Sequence, residues 1–200
     1  MFFEPSQELT SSPIFNLSLS SRELFHSNFI FWLASIEQEP FRKGLERALS
    51  VEISGAYNPN HSYREKNNLD IVISYHDRTV VIENKFKSIA TIEQLERYSK
   101  LEIADGSICI LLSLARPEFF PSDGQWCEPK SQVRWHFLSY ECLASIVQGL
   151  AEESENHYHA MLMTDYARVV KLISQIASAA TIGLSSDFSF TNNATGSDLA

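Results

Sequence analysis

Cysteine is scarce: Cys109, Cys127 and Cys142 are the only three in 200 residues, odd in number and without a Cys-x-x-Cys pair. That excludes a disulfide scaffold or a zinc knuckle and predicts a reducing, cytoplasmic home. Long apolar runs are also missing. None approaches the roughly 18 residues a bilayer span needs, and Met1-Phe2-Phe3-Glu4-Pro5 has no basic region of the kind that opens a secretory signal. No membrane partner is therefore expected. There is no internal repeat, and no helix-turn-helix or zinc-finger element that would read bases. Positive charge is short as well, with 16 Lys and Arg against 25 Asp and Glu. A net charge of −9 repels a phosphate backbone.

What is present is a core. Apolar residues make up 44% of the chain and aromatics 12%, which excludes wholesale disorder. The charge is also unevenly spread. Residues 42–100 carry a local net of +2 and the remainder −11, so one segment is electrostatically distinct.

Along the chain, residues 1–19 read as a loose arm, 20–183 as one domain, and 184–200, rich in Ser, Asn and Thr, as a disordered tail. Ser20 with Glu23 fits a capping box opening a helix that Pro40 ends, and a short helix is predicted over 41–49. Val51–Ser54 is a strand candidate and 62–66 an irregular extension. Residues 69–75 and 79–83 read as a hairpin around His76-Asp77-Arg78. Its β-branched runs, Ile71–Ile73 and Val80–Ile82, suit strands covered on both faces. A helix over 91–104, buried strands over 107–114 and 133–138, and helices over 140–150 and 158–177 complete an α/β sandwich.

If the turn places Tyr75 opposite Arg78, every cross-strand pair sums to 153. Asp70 then faces Glu83 with Cβ atoms about 5 Å apart. Lys85 shares the face of Glu83, and Asn84 points the other way. Two carboxylates so placed need a shared proton or a cation, and an all-oxygen donor set favours Mg²⁺, or Mn²⁺ in its place. A surface ion pair of Glu83 with Lys85 and a solvated Asp70 is the competing reading.

The strings Asn68-Leu69-Asp70-Ile71-Val72-Ile73 and Val80-Val81-Ile82-Glu83-Asn84-Lys85 resemble the PD-(D/E)XK nuclease superfamily. Its signature is an Asp opening one core strand and Glu-x-Lys closing the next. Gln94 to Tyr98 resembles the Q-x-x-x-Y helix of its exonuclease-like branches, and Glu23-Leu24-Phe25-His26-Ser27 its first helix in many bacterial members. Leu69 stands where the superfamily's name has Pro. The resemblance implies a restriction-endonuclease-like, three-layer α/β/α sandwich with a central mixed sheet, and a metal-dependent nuclease hydrolysing phosphodiester bonds in DNA. It implies Asp70, Glu83 and Lys85 as catalytic residues. Asp70, Glu83, the backbone carbonyl of Asn84, and Glu23 would be the Mg²⁺ ligands. Gln94 and Tyr98 would touch substrate or hold Lys85, and His26 and Arg64 are candidate phosphate contacts. For Glu23, a plain capping role competes; for His26, a satisfied structural one. DNA is the expected partner, with a homodimer as one way to cut two strands. The overall acidity keeps open a catalytically silent, nuclease-like module that binds nucleic acid or protein, and an acidic protein–protein interaction domain.

Overall fold

The computed structural model describes residues 9, 12–18, 23–66, 68–86 and 88–191. In chain order these form α1 (Pro13–Ser18), α2 (Glu23–Ile36), α3 (Gln38–Leu49), β1 (Tyr63–Lys66), β2 (Leu69–Ser74), β3 (Thr79–Lys85), α4 (Ile92–Ser99) and a 3₁₀ turn (Glu102–Ala104). There follow β4 (Ile108–Ser113), β5 (Gln125–Cys127), β6 (Arg134–Ser139), α5 (Tyr140–Glu153) and α6 (His157–Thr191). The six strands make one mixed sheet in the order β1-β2-β3-β4-β6-β5. The β3–β4 and β4–β6 pairs are parallel and the others antiparallel.

Alternation along the strands builds two cores. Ile71, Ile73, Val80, Ile82, Ile110 and Leu112 face one way, against Ile30, Leu33, Phe41, Val147 and Tyr166 of α2, α3, α5 and α6. Val72, Val81, Cys109, Leu111 and Trp135 face the other, against Leu95 and Tyr98 of α4 and the loop residue Phe120. Each fully buried Val, Leu or Ile contributes about 1.5–3 kcal/mol, so continuous apolar strands are stable only when both faces are covered. The result is the three-layer α/β/α sandwich with a central mixed sheet, and it fits the restriction-endonuclease-like fold. The indole of Trp135 donates to Ser99 Oγ at 2.9 Å, tying β6 to α4. Among the described residues no helix is long and apolar enough to cross a membrane.

Several local expectations are corrected. Residues 13–18 of the expected loose arm are helical. Ser12 caps them by accepting from Phe15 N at 3.1 Å, Pro13 sits at the first helical position, where its missing N–H costs nothing, and Ile14 is buried. Pro40 lies within the first turn of α3, tolerated for the same reason, while α2 ends at Ile36. Val51–Ser54 is not a strand. Ile53 is fully buried, but its N–H goes to Glu46 Oε1 at 2.8 Å and its carbonyl accepts from Arg42, so side chains of α3 replace a ladder. Residues 63–66, expected to be irregular, form the edge strand β1. The short β5 emerges from a stretch expected to be loop. The final helix continues to Thr191, past the expected start of the tail at 184. Ser20, Lys87 and residues 192–200 lie outside the described residues.

Candidate active site

The β2–β3 hairpin has the register the sequence predicts. Ile71 pairs with Ile82, Val72 with Val81, Ile73 with Val80 and Ser74 with Thr79. Tyr75 N donates to Arg78 O at 2.7 Å across the turn. One step beyond Ile71, Asp70 falls opposite Glu83. Its Oδ2 accepts from the backbone N–H of Asn84 at 2.7 Å. Lys85, two residues from Glu83 and so on its face, brings Nζ to 2.7 Å from Glu83 Oε1. This is no surface ion pair, since Glu83 is 1% exposed.

Helix α4 adds a second donor to the same oxygen. Thr91 caps α4 by accepting from Gln94 N at 3.3 Å, which puts Gln94 in the first turn. Its Nε2 donates to Glu83 Oε1 at 2.7 Å and contacts Tyr98 Oη at 3.2 Å. Arg97 donates to that same hydroxyl at 3.2 Å and lies over the Tyr98 ring. Glu83 Oε1 is therefore doubly bound, while Oε2 is buried with no hydrogen-bond partner. An orphaned carboxylate oxygen in a dry site costs free energy until it gains a cation or a proton.

The electrostatics agree. Burial, then the charge of Asp70, pushes the Glu83 carboxyl up to about 7 against the pull of Lys85. Burial also raises Asp70, opposed by the Asn84 N–H and Lys85. For Lys85, burial works to lower the pKa, but Glu83, Asp70 and Glu23 together outweigh it and hold the ammonium charged. Glu23, at the start of α2, accepts from Ser88 Oγ at 2.7 Å and Ser88 N at 3.3 Å. Its charge raises both Asp70 and Glu83. Among the described residues, negative charge exceeds positive here.

Asn84 joins these pieces. Its side chain is fully buried. Nδ2 donates to Glu23 O and to Ser27 Oγ, both at 3.0 Å, and Oδ1 accepts from Tyr140 Oη. All the strong hydrogen-bonding capacity of that amide beyond one lone pair is used, and β3 is thereby locked to α2 and α5.

The other expected residues are placed differently. His26 is 1% exposed, its Nδ1 is 2.9 Å from Tyr166 Oη, and its ring stacks on Phe86 with centroids 3.7 Å apart. It belongs to the aromatic core rather than the surface. Arg64 is exposed on β1 opposite Ile71, one position off the row containing Asp70. Ser88, Tyr140 and Glu65 join the neighbourhood of the site with no motif in the sequence to mark them. Glu65 follows Arg64 on β1. The residue is exposed, yet partial desolvation raises its carboxyl, and Asp70 and Glu23 add to that rise.

Among the described residues no group of three or more His, Cys, Asp or Glu forms a ready-made metal cage. Lys85 and Gln94 occupy one oxygen of Glu83, and the Asn84 N–H one of Asp70. The donor chemistry nevertheless fits a hard divalent ion: carboxylates from α2, β2 and β3, no thiolate or free imidazole, and the orphaned Oε2 of Glu83. A family model described as PD-(D/E)XK nuclease superfamily matches residues 13–168. No curated protein and no solved structure matches the chain.

Proposed function

The chain belongs to the PD-(D/E)XK nuclease superfamily, and from that premise we propose that it hydrolyses phosphodiester bonds in DNA with Mg²⁺, or Mn²⁺ in its place. The observation that carries the reading is the Glu83 carboxylate. One oxygen is held by Lys85 and Gln94 at 2.7 Å, and the other is buried and unpaired beside Asp70. Asp70, Glu83, the backbone carbonyl of Asn84, and Glu23 would hold the cation. When bound, such an ion stabilises charge on a phosphoryl oxygen and makes water a stronger nucleophile near neutral pH.

The protein's own groups do the rest. Lys85, kept charged by three carboxylates, orients the attacking water or neutralises charge building on the phosphoryl group. Gln94 fixes Glu83 in one rotamer, and Tyr98 holds Gln94. The Asn84 amide keeps α2 against β3, and so sets the distance from Glu23 to the hairpin carboxylates.

The test is cleavage of plasmid and linear DNA with Mg²⁺ or Mn²⁺ by the wild type, Asp70→Ala and Lys85→Ala. Loss of cutting in both variants is expected. Equal residual cutting in all three would assign the activity to a contaminant and overturn the proposal. A silent, nuclease-like binding module would instead leave the wild type inactive and without Mg²⁺ binding by calorimetry.

A further inference from the structure

The carboxylate row of the site does not stop at Asp70. In the β1–β2 pairing, Tyr63 faces Val72, Arg64 faces Ile71 and Lys66 faces Leu69. Glu65, between Arg64 and Lys66, therefore falls opposite Asp70. Asp70 in turn falls opposite Glu83 in the β2–β3 register. Three carboxylate residues occupy one line across three neighbouring strands, spaced about 4.8 Å apart. Exposure falls along that line, from Glu65, which is exposed, through Asp70, half-buried, to Glu83, buried.

Like charges directly opposite one another destabilise a sheet, and among the described residues the nearby cations offset this row only in part. Lys85 is engaged by Glu83. Lys66 lies over the Tyr63 ring, 5.4 Å from its centroid. Arg64 tempers Glu65, but its register position is on the other face. Among the described residues, the three carboxylates of the row share the half-buried Lys85 ammonium. The unpaired Oε2 of Glu83, in a side chain 1% exposed, independently marks the row as short of a cation. The backbone adds a further cost, because Glu65 has φ of 51°. A β-turn or bulge needing that conformation is met at lower cost by Gly or Asn, so local geometry does not explain a glutamate.

We propose that Glu65 is a further ligand of the divalent-cation site, holding with Asp70, directly or through water, a cation on the solvent side of Glu83. This rests on the metal-dependent reading above. It extends the donor set beyond Asp70, Glu83, Asn84 and Glu23 to the largely exposed edge strand.

The experiment is Mn²⁺ titration of the full chain by calorimetry, with thermal melts of the same samples in chelator. Wild type is compared with Glu65→Gln, Glu65→Asn and, as a control at the far turn of the hairpin, Asp77→Asn. Both Glu65 variants should lose one Mn²⁺ binding event or weaken it about tenfold or more, with Asp77→Asn matching wild type. Glu65→Asn should melt no lower than wild type, since Asn accepts the left-handed backbone better, so lost binding cannot be ascribed to unfolding. Mn²⁺ binding by both Glu65 variants equal to that of wild type would overturn the assignment of Glu65 alone. An equal loss in Asp77→Asn would reduce the effect to general charge and overturn it too. Failure of wild type to bind Mn²⁺ at all would instead sink the nuclease reading on which the assignment rests.

Discussion

Replacing Glu83 with Gln tests whether its carboxyl is held against its will. In the unfolded chain that carboxyl titrates near 4.5, and in the fold it is pushed up to about 7. The sign follows from linkage. Between those two values the native state holds a proton that the unfolded state has released, so stability falls as pH rises through the window and levels off above it. Each pKa unit is worth about 1.4 kcal/mol, which makes the native-state cost about 3 kcal/mol at pH well above 7. Gln cannot ionise, so Glu83→Gln removes that pH dependence while keeping shape. Packing changes caused by the substitution do not titrate, and they cancel when the variant's stability difference is compared at two pH values. Urea unfolding in chelator at about pH 5 and about pH 8 should show Glu83→Gln gaining about 2.5 kcal/mol on wild type between the two. For a chain of this size that is a relative shift in melting temperature of about 5–10 °C. Parallel pH profiles for the two proteins would refute the argument that burial beside Asp70 makes this charge costly.

Two further outcomes are expected. Tyr140→Phe leaves the buried Asn84 Oδ1 without its donor and should cost about 1–3 kcal/mol in urea unfolding; a neutral result would mean that the amide is not locked through Tyr140. Gly44→Ala would bring a Cβ to 2.5 Å from Ile146 Cγ2 across the α3–α5 contact. That overlap with a stiff β-branched side chain should outweigh the gain in helix propensity and destabilise the fold by about 1–2 kcal/mol, while a more stable variant would show the two helices free to separate.

The sequence and the structure agree where the signal is periodic. Ile71–Ile73 and Val80–Ile82 are apolar at every position because both faces are covered, and that pattern identified the central strands. The short polar turn set the register, so Asp70, Glu83 and Lys85 could be placed on one face by counting residues. Edge elements left no such trace. β1 is largely exposed and β5 is only three residues long, so neither buries the alternating apolar side chains that reveal a strand. The Ser12-Pro13 start of α1 was a readable cap signal, but it lies in a stretch whose composition resembles a loose arm. Val51–Ser54 looked like a strand because Ile53 is apolar, and only the side chains of Arg42 and Glu46 decide otherwise.

Local pattern by itself determined the mixed α/β character, the hairpin and its carboxylate pair, because turn length and the two-residue period of a strand are short-range properties. Tertiary structure alone decided which neighbours those charges meet: Asn84 bound to Tyr140 from 56 positions away, His26 enclosed with Tyr166 and Phe86, Gln94 on Glu83, and Glu65 brought beside Asp70 by an edge strand. Such contacts depend on how helices and strands distant in the chain pack together, and no spacing along the chain encodes that packing.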